Sequence, residues 1–100
     1  MSIHRIYAGT DGESHMEEVH LAQHPELGAL MQVARVGIHE FAELRTMDFH
    51  PLPERRLIIH LHGEVEICVS DGRTQMFRPG DARLMEDTFG RGHTHRACTP

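Results

Sequence analysis

The sequence predicts an all-β domain, a small barrel of two antiparallel sheets. The prediction rests on turn signals and on alternation. Gly63, Asp71-Gly72 and Pro79-Gly80-Asp81 divide the stretch 56–95 into short apolar runs, which is the pattern of a β-meander. Between two of those turns Val65, Ile67 and Val69 alternate with Glu64, Glu66, Cys68 and Ser70, a strand with one apolar and one polar face. The chain of 100 residues is a single domain, 1–100, and short strands at regular spacing fit a closed two-sheet architecture.

Taken in order, Met1 to Ala8 is a short first strand and Gly9 to Ser14 a polar turn. Met16 to Ala22 alternates through Val19 and Leu21 and is expected as a half-buried strand, with a short helix from Ser14 as the competing reading. Pro25 and Gly28 mark a loop. Residues 29–36 and 38–45 fit either period; strands are expected, because the better-marked second half is β and its sheets need partners. Thr46 to Arg55 contains Pro51 and Pro53, so it is expected as an extended loop and excluded as a central strand. Strands follow at Leu57–Leu61, Glu64–Ser70, Thr74–Arg78 and Ala82–Met85. Glu86 to Gly92 is a glycine-rich loop, and His93 to Cys98 the last strand. The N-terminal strands thus fill 1–45, and 46–98 holds the better-marked half.

The formal charge of -5 and a pI near 6.0 argue against nucleic acid, which needs a basic patch. Arg78, Arg83, Arg91 and Arg96 still crowd the last quarter and allow a local basic rim. Cys68 and Cys98 have no zinc-finger or redox spacing, and Cys68 reads as a buried thiol. No signal-peptide core or membrane-spanning apolar run is present, so a cytoplasmic protein without membrane contact is expected. A domain this small has a thin stability margin, which favours a homodimer. Ten histidines raise the prospect of metal or proton chemistry. Nucleophilic catalysis and phosphate cradling have no motif here: there is no G-x-S-x-G elbow and no P-loop.

The stretch from about Asp48 to Arg96 resembles the cupin superfamily, in its compact single-domain form. Arg56-Leu57-Ile58-Ile59-His60-Leu61-His62-Gly63 is similar to the glycine-closed strand that ends the first cupin motif. Gly72, Pro79-Gly80-Asp81 and His93 match the second motif. Glu86-Asp87-Thr88-Phe89-Gly90-Arg91-Gly92-His93 resembles an E-D-T-x-G-x-G-H loop of small cupins, and Tyr7 with Asp11-Gly12-Glu13-Ser14-His15 is similar to the same group. The resemblance implies a double-stranded β-helix, a jelly-roll barrel of two antiparallel sheets, commonly dimeric.

It also implies a site. Metal-dependent cupins use H-x-H, a following glutamate and a later histidine. Here Asp48-Phe49-His50 stands at the H-x-H position, Arg56 at the glutamate position, and His93 at the second-motif histidine. His50, His93 and Asp48 are therefore the expected ligands of a divalent metal, Fe, Mn, Ni or Zn. Arg56 sets a cation where the metal ion should sit, which opposes the standard site. Arg56 and His60 are expected to bind the ligand. Arg56 would grip a carboxylate by its planar fork, or instead pair with Glu86 or Asp48. His60 and His62 share a strand face, as do His93 and His95. Glu86, Asp87 and His93 flank the glycine-rich loop and are the candidates for acid-base catalysis, against a purely local role for Asp87 in holding the loop. His4, His15, His20, His24 and His39 read as surface residues. The expected function is a small cupin that binds a metal and a small organic acid, sugar or phenolic in the barrel mouth, acting as an oxygenase, isomerase or lyase. The alternative is a metal-free anion binder or a structural barrel without turnover.

Overall fold

The computed structural model describes residues 2–29, 32–40 and 46–99. These form eight strands: β1 (Ile3–Ala8), β2 (Ser14–Glu18), β3 (Thr46–His50), β4 (Arg56–Ile59), β5 (Glu64–Cys68), β6 (Thr74–Phe77), β7 (Ala82–Glu86) and β8 (His93–Thr99). They make two four-stranded sheets, ordered β2-β1-β7-β4 and β3-β8-β5-β6. The chain passes back and forth between the sheets, so each depends on strands far apart in sequence. Every ladder described is antiparallel except β1 with β7, which is parallel. The all-β expectation holds at this level. Among the described residues neither sheet closes on itself.

Other expectations are corrected. The second strand starts earlier than the alternation suggested: Ser14 and His15 belong to it, and Leu21–Gln23 forms a 3-10 turn instead. Pairing with β1 sets that boundary, because Ser14 lies opposite Ala8. The strands expected in 29–45 do not form within residues 32–40, where Val33, Val36 and Ile38 are exposed; residues 30–31 and 41–45 lie outside the described residues. Alternation there meets no ladder partner, and a lone strand is not stable. Conversely, Thr46–His50 is a strand rather than a loop. Its position at the sheet edge is what Pro51 permits, since no further ladder partner is needed on that side.

Register sorts the interior into three layers. In the first sheet His4 lies beside Arg83, which faces Ile58 on the other side; Ile6 lies beside Met85 and Met16; Ser14 begins β2, and Asp87 follows directly on β7. In the second sheet Phe77 lies beside Val65, Ile67 beside Gln75 and His95, and His93 beside His50. The apolar core is Ile6, Met16, Ile67, Val69, Phe77 and Met85, with Leu52, Ile58 and Val65 packed against it. It occupies the middle, and polar side chains occupy both ends. Each fully buried side chain of this size contributes about 1.5–3 kcal/mol.

The turns are held as the sequence suggested. In the Pro79-Gly80-Asp81 corner, the Asp81 carboxylate accepts from the backbone N–H groups of Arg78 (3.0 Å) and Ser2 (2.9 Å). Those bonds lower its pKa and pin the N-terminal strand to the corner.

Two glycines give a direct test. Gly72 and Gly92 both have positive φ, but a Cβ at Gly72 meets nothing within 4 Å, whereas one at Gly92 runs into the His50 carbonyl and Pro51 nitrogen. Gly72→Ala is expected to cost about 1–2 kcal/mol, the left-handed penalty alone. Gly92→Ala adds an overpacking cost of about 1–3 kcal/mol. Denaturant midpoints of the two variants check the ranking.

Candidate functional site

At one end of the interior three buried polar side chains converge. Asp87, just past β7, and Ser14, at the start of β2, come from one sheet; His93, at the start of β8, comes from the other. Ser14 Oγ donates to Asp87 Oδ2 at 2.8 Å, and His93 Nδ1 lies 2.5 Å from the same oxygen. Ser14, Asp87 and His93 are each no more than 1% exposed. The second oxygen, Asp87 Oδ1, is buried with no hydrogen-bond partner. The local sequence explains the placement. Asp87 continues the inward row of Met85, and the glycines of the following loop let it dock closely.

That loop is locked from two sides. The Arg91 N–H donates to the Gly12 carbonyl at 2.8 Å, and Gly90 lies so close to Gly12 that a Cβ would strike its oxygen. The Arg91 guanidinium sits over the Phe49 ring, 4.3 Å from its centre. The Leu52 N–H donates to the Asp87 carbonyl at 3.1 Å, which draws the segment after β3 across to the first sheet. The two stretches that resembled small cupins, 7–15 and 86–93, therefore meet in space.

His50 lies against His93, ring centres 4.8 Å apart and planes at 49°. Its Nδ1 is 2.7 Å from the Asp48 carbonyl, an acceptor that requires the proton on that nitrogen. His93 Nδ1 likewise faces a carboxylate. Both rings thus commit Nδ1 as donor and keep the lone pair on Nε2. His50 is half-buried and forms the solvent side; His93, Asp87 and Ser14 are buried.

The other expected residues fall elsewhere. Glu86 is not part of the cluster. It points to the opposite sheet face and pairs with Arg5 and with Arg55 (2.6 Å). Strand alternation forbids adjacent Glu86 and Asp87 from sharing a face. Asp48 is exposed, and its Oδ1 accepts from the Phe49 N–H at 2.8 Å. Arg56 is not in the interior: its side chain is 45% exposed and lies 3.6 Å from Glu54, so neither of its expected partners, Glu86 and Asp48, is the one it meets. An edge strand leaves a long side chain free to reach water. His62 is exposed.

His60 is buried, but at the opposite end of the interior, stacked on Phe77 with ring centres 5.4 Å apart. Its Nε2 accepts from Arg83 Nε at 3.1 Å. His4, expected at the surface, is buried beside it with its ring edge-on to Phe77. The alternation of His4 with Ile6 carried that signal, since both share the inward face of β1.

The metal expectation meets an incomplete donor set. His50 and His93 supply two nitrogens, Asp48 does not join them, and among the described residues no group of three or more metal-binding side chains occurs. Three protein ligands are the minimum of an ordinary catalytic centre. The residues therefore do not fit the predicted three-ligand site.

No protein-family model, curated protein or solved structure matches this chain. Among the described residues no helix is long and apolar enough to cross a membrane.

The buried histidines set a pH dependence. Burial, and then the Arg83 charge, lower the His60 pKa to about 4; burial also lowers that of His4. An unfolded histidine takes up its proton near pH ~6.5. Between these values the unfolded chain binds more protons than the folded one, so stability falls as the pH drops from about 6.5 towards 4. Urea midpoints should decline across that window. His60→Gln, which keeps an acceptor for Arg83 but does not titrate, should flatten the slope.

Proposed function

We propose that this protein is a small jelly-roll barrel of the cupin type that binds a small organic ligand where His50 and His93 meet, and that His93 exchanges a proton with that ligand. The observation that carries the reading is the buried Asp87 carboxylate. It holds the His93 proton on Nδ1, orients the ring, and would stabilise the imidazolium formed when Nε2 takes a proton. Ser14 fixes the carboxylate from behind. Half-buried His50 is the group that meets the ligand first, and its own tautomer is set by the Asp48 carbonyl. This chemistry suits proton removal and return next to a carbonyl, as an isomerase or lyase needs. The barrel assignment is supported by the two facing sheets and by the meeting of the 7–15 and 86–93 stretches.

A second reading is a divalent metal held by His50 and His93 alone. It is favoured by one observation: both rings donate from Nδ1 and keep Nε2 free, the arrangement in which an outer partner orients a metal-ligating histidine. Elemental mass spectrometry on untagged protein separates the two. Near one Fe, Mn, Ni or Zn per chain, lost in both His50→Ala and His93→Ala but kept in His20→Ala, establishes the metal. Metal-free protein in which nitrogen NMR reports His93 protonated on Nδ1, and in which Asp87→Asn moves that signal, supports the acid-base pair. A His93 proton on Nε2 would sink it.

The homodimer is proposed on the outer face of the first sheet. Leu57, Ile59 and Leu61, on edge strand β4 and just after it, are 50%, 60% and 74% exposed. Leu57 faces Leu84 across the ladder, so the apolar surface extends inward from the edge. A second copy would cover both the leucine-isoleucine row and the open strand edge. Sedimentation should show a dimer at micromolar concentration and a monomer for Ile59→Lys. A monomeric parent chain rejects it.

A further inference from the structure

The proton transfer assigned to His93 needs a ligand at its Nε2, yet the residue is 1% exposed. In the arrangement seen the ring is closed to a ligand. Access depends on half-buried His50, whose ring centre is 4.8 Å away. The two histidines are ladder partners at the end of β3, the edge strand of the second sheet. The register slips just there. Met47 lies opposite His95 and His50 opposite His93, three residues along β3 for two along β8. A bulge of this kind disrupts the ladder locally and re-aims side chains. The His50 end of β3 is therefore a weakly laddered wall of the site.

One side chain reaches across to that wall from the neighbouring loop. The Arg91 N–H donates to the Gly12 carbonyl at 2.8 Å, which anchors the loop backbone to the β1–β2 turn. The Arg91 guanidinium lies 4.3 Å from the centre of the Phe49 ring, and Phe49 immediately precedes His50. One terminal nitrogen is also 3.9 Å from Glu13 Oε1, while Glu13 Oε2 accepts from Ser70 Oγ at 2.6 Å. Arg91 thus spans from a held carboxylate to the ring beside His50. Glu13 itself is next in sequence to Ser14, so this outer set runs alongside the buried one. The Arg91 side chain is 53% exposed, and water and salt compete for its charge, so the contact is readily released.

We propose that Arg91 is a positioning residue: its guanidinium on Phe49 latches the end of β3 and keeps His50 closed over His93, and release of this latch admits the ligand. The inference rests on the proton-transfer reading of His93 and assigns the control of access to it. Arg91 acts through Phe49 rather than on the ligand.

Diethyl pyrocarbonate acylates the free nitrogen of a neutral imidazole, and mass spectrometry maps the modified residues. The full chain is treated at mildly alkaline pH, where unperturbed histidines are neutral. In the parent protein His93 should react more slowly than exposed His20. Arg91→Ala should raise the His93 rate about two- to fivefold, the change expected from losing a cation–π contact at an exposed site. Buried His4 and His60, at the other end, should stay as slow as before. Arg91→Lys keeps a cation for the ring and should recover part of the protection. Phe49→Leu removes the ring, should match Arg91→Ala, and carries the test if that variant fails to fold. Arg78→Ala, at an arginine likewise 3.9 Å from a carboxylate, Glu64, should leave the His93 rate unchanged. An unchanged His93 rate in either folded latch variant overturns the proposal, as does parent His93 reacting as fast as His20. So does a rise shared by His4 and His60, which reports loosening of the whole interior, a rise that Arg91→Lys does not reduce, or one that Arg78→Ala reproduces. These rates read access alone. The His93 tautomer, read by nitrogen NMR, tests the proton-transfer reading, so either can fail without the other.

Discussion

The Asp87 carboxylate is the constraint on which the rest of the structure depends. It is fully buried and lies at the junction of the two sheets, taking a hydrogen bond from Ser14 on its own sheet and one from His93 on the other. A carboxylate in that position is costly unless paired, and removing one partner of such a pair costs about 3–5 kcal/mol. That equals the contribution of about two buried core side chains, in a core that has few of them. Those bonds therefore fix more than two residues. They hold the start of the 88–92 loop, which passes so close to Gly12 and His50 that a Cβ at Gly90 or Gly92 would strike their backbone.

The interior is apolar only in its middle. The cluster of Ile6, Met16, Ile67, Val69, Phe77 and Met85 is flanked by Ser14, Asp87 and His93 at one end and by His4, His60 and Arg83 at the other. Burial acts oppositely on structure and on chemistry here. It removes protons from His4 and His60, so that they serve as neutral partners. It also strips water from Arg83, which lowers its pKa to about 10 against the opposing pull of the Asp87 charge. The two polar ends are separated along β7 by Met85. A small core is the consequence, and it explains why an apolar outer surface along β4 is available to be covered.

The outside of the same strands carries a different logic. Glu86 binds Arg5 and Arg55, and the Arg5 guanidinium also covers the Tyr7 ring at 4.2 Å. These exposed or half-exposed contacts contribute little individually, because water competes for each charge. Their value lies in aligning β1 with β7, the parallel pair that brings the N-terminal strand into the first sheet. Adjacent residues Glu86 and Asp87 thus serve different faces: one braces the sheet, the other joins it to its neighbour.

Much was legible from sequence where the physics is local. Turns at Gly63, Asp71-Gly72 and Pro79-Gly80-Asp81 follow from backbone preferences of those residues, and the face of Val65, Ile67 and Val69 follows from the period of an extended chain. The sequence alone therefore determined the all-β class and the order of strands from Leu57 onward, and it singled out His50, Asp87 and His93 as candidates. It could not say that Ser14 would join them, that Arg83 rather than Arg56 would be the buried guanidinium, or that His4 would face inward beside it. Nor could it decide that 46–50 would be a strand and 32–40 would not. Those outcomes depend on which distant strand lies alongside, and on whether a strand sits at an edge or in the middle of its sheet. Ladder pairing between residues 79 positions apart, such as His4 with Arg83, is set by the assembly of the whole sheet and leaves no mark on the residues' immediate neighbours.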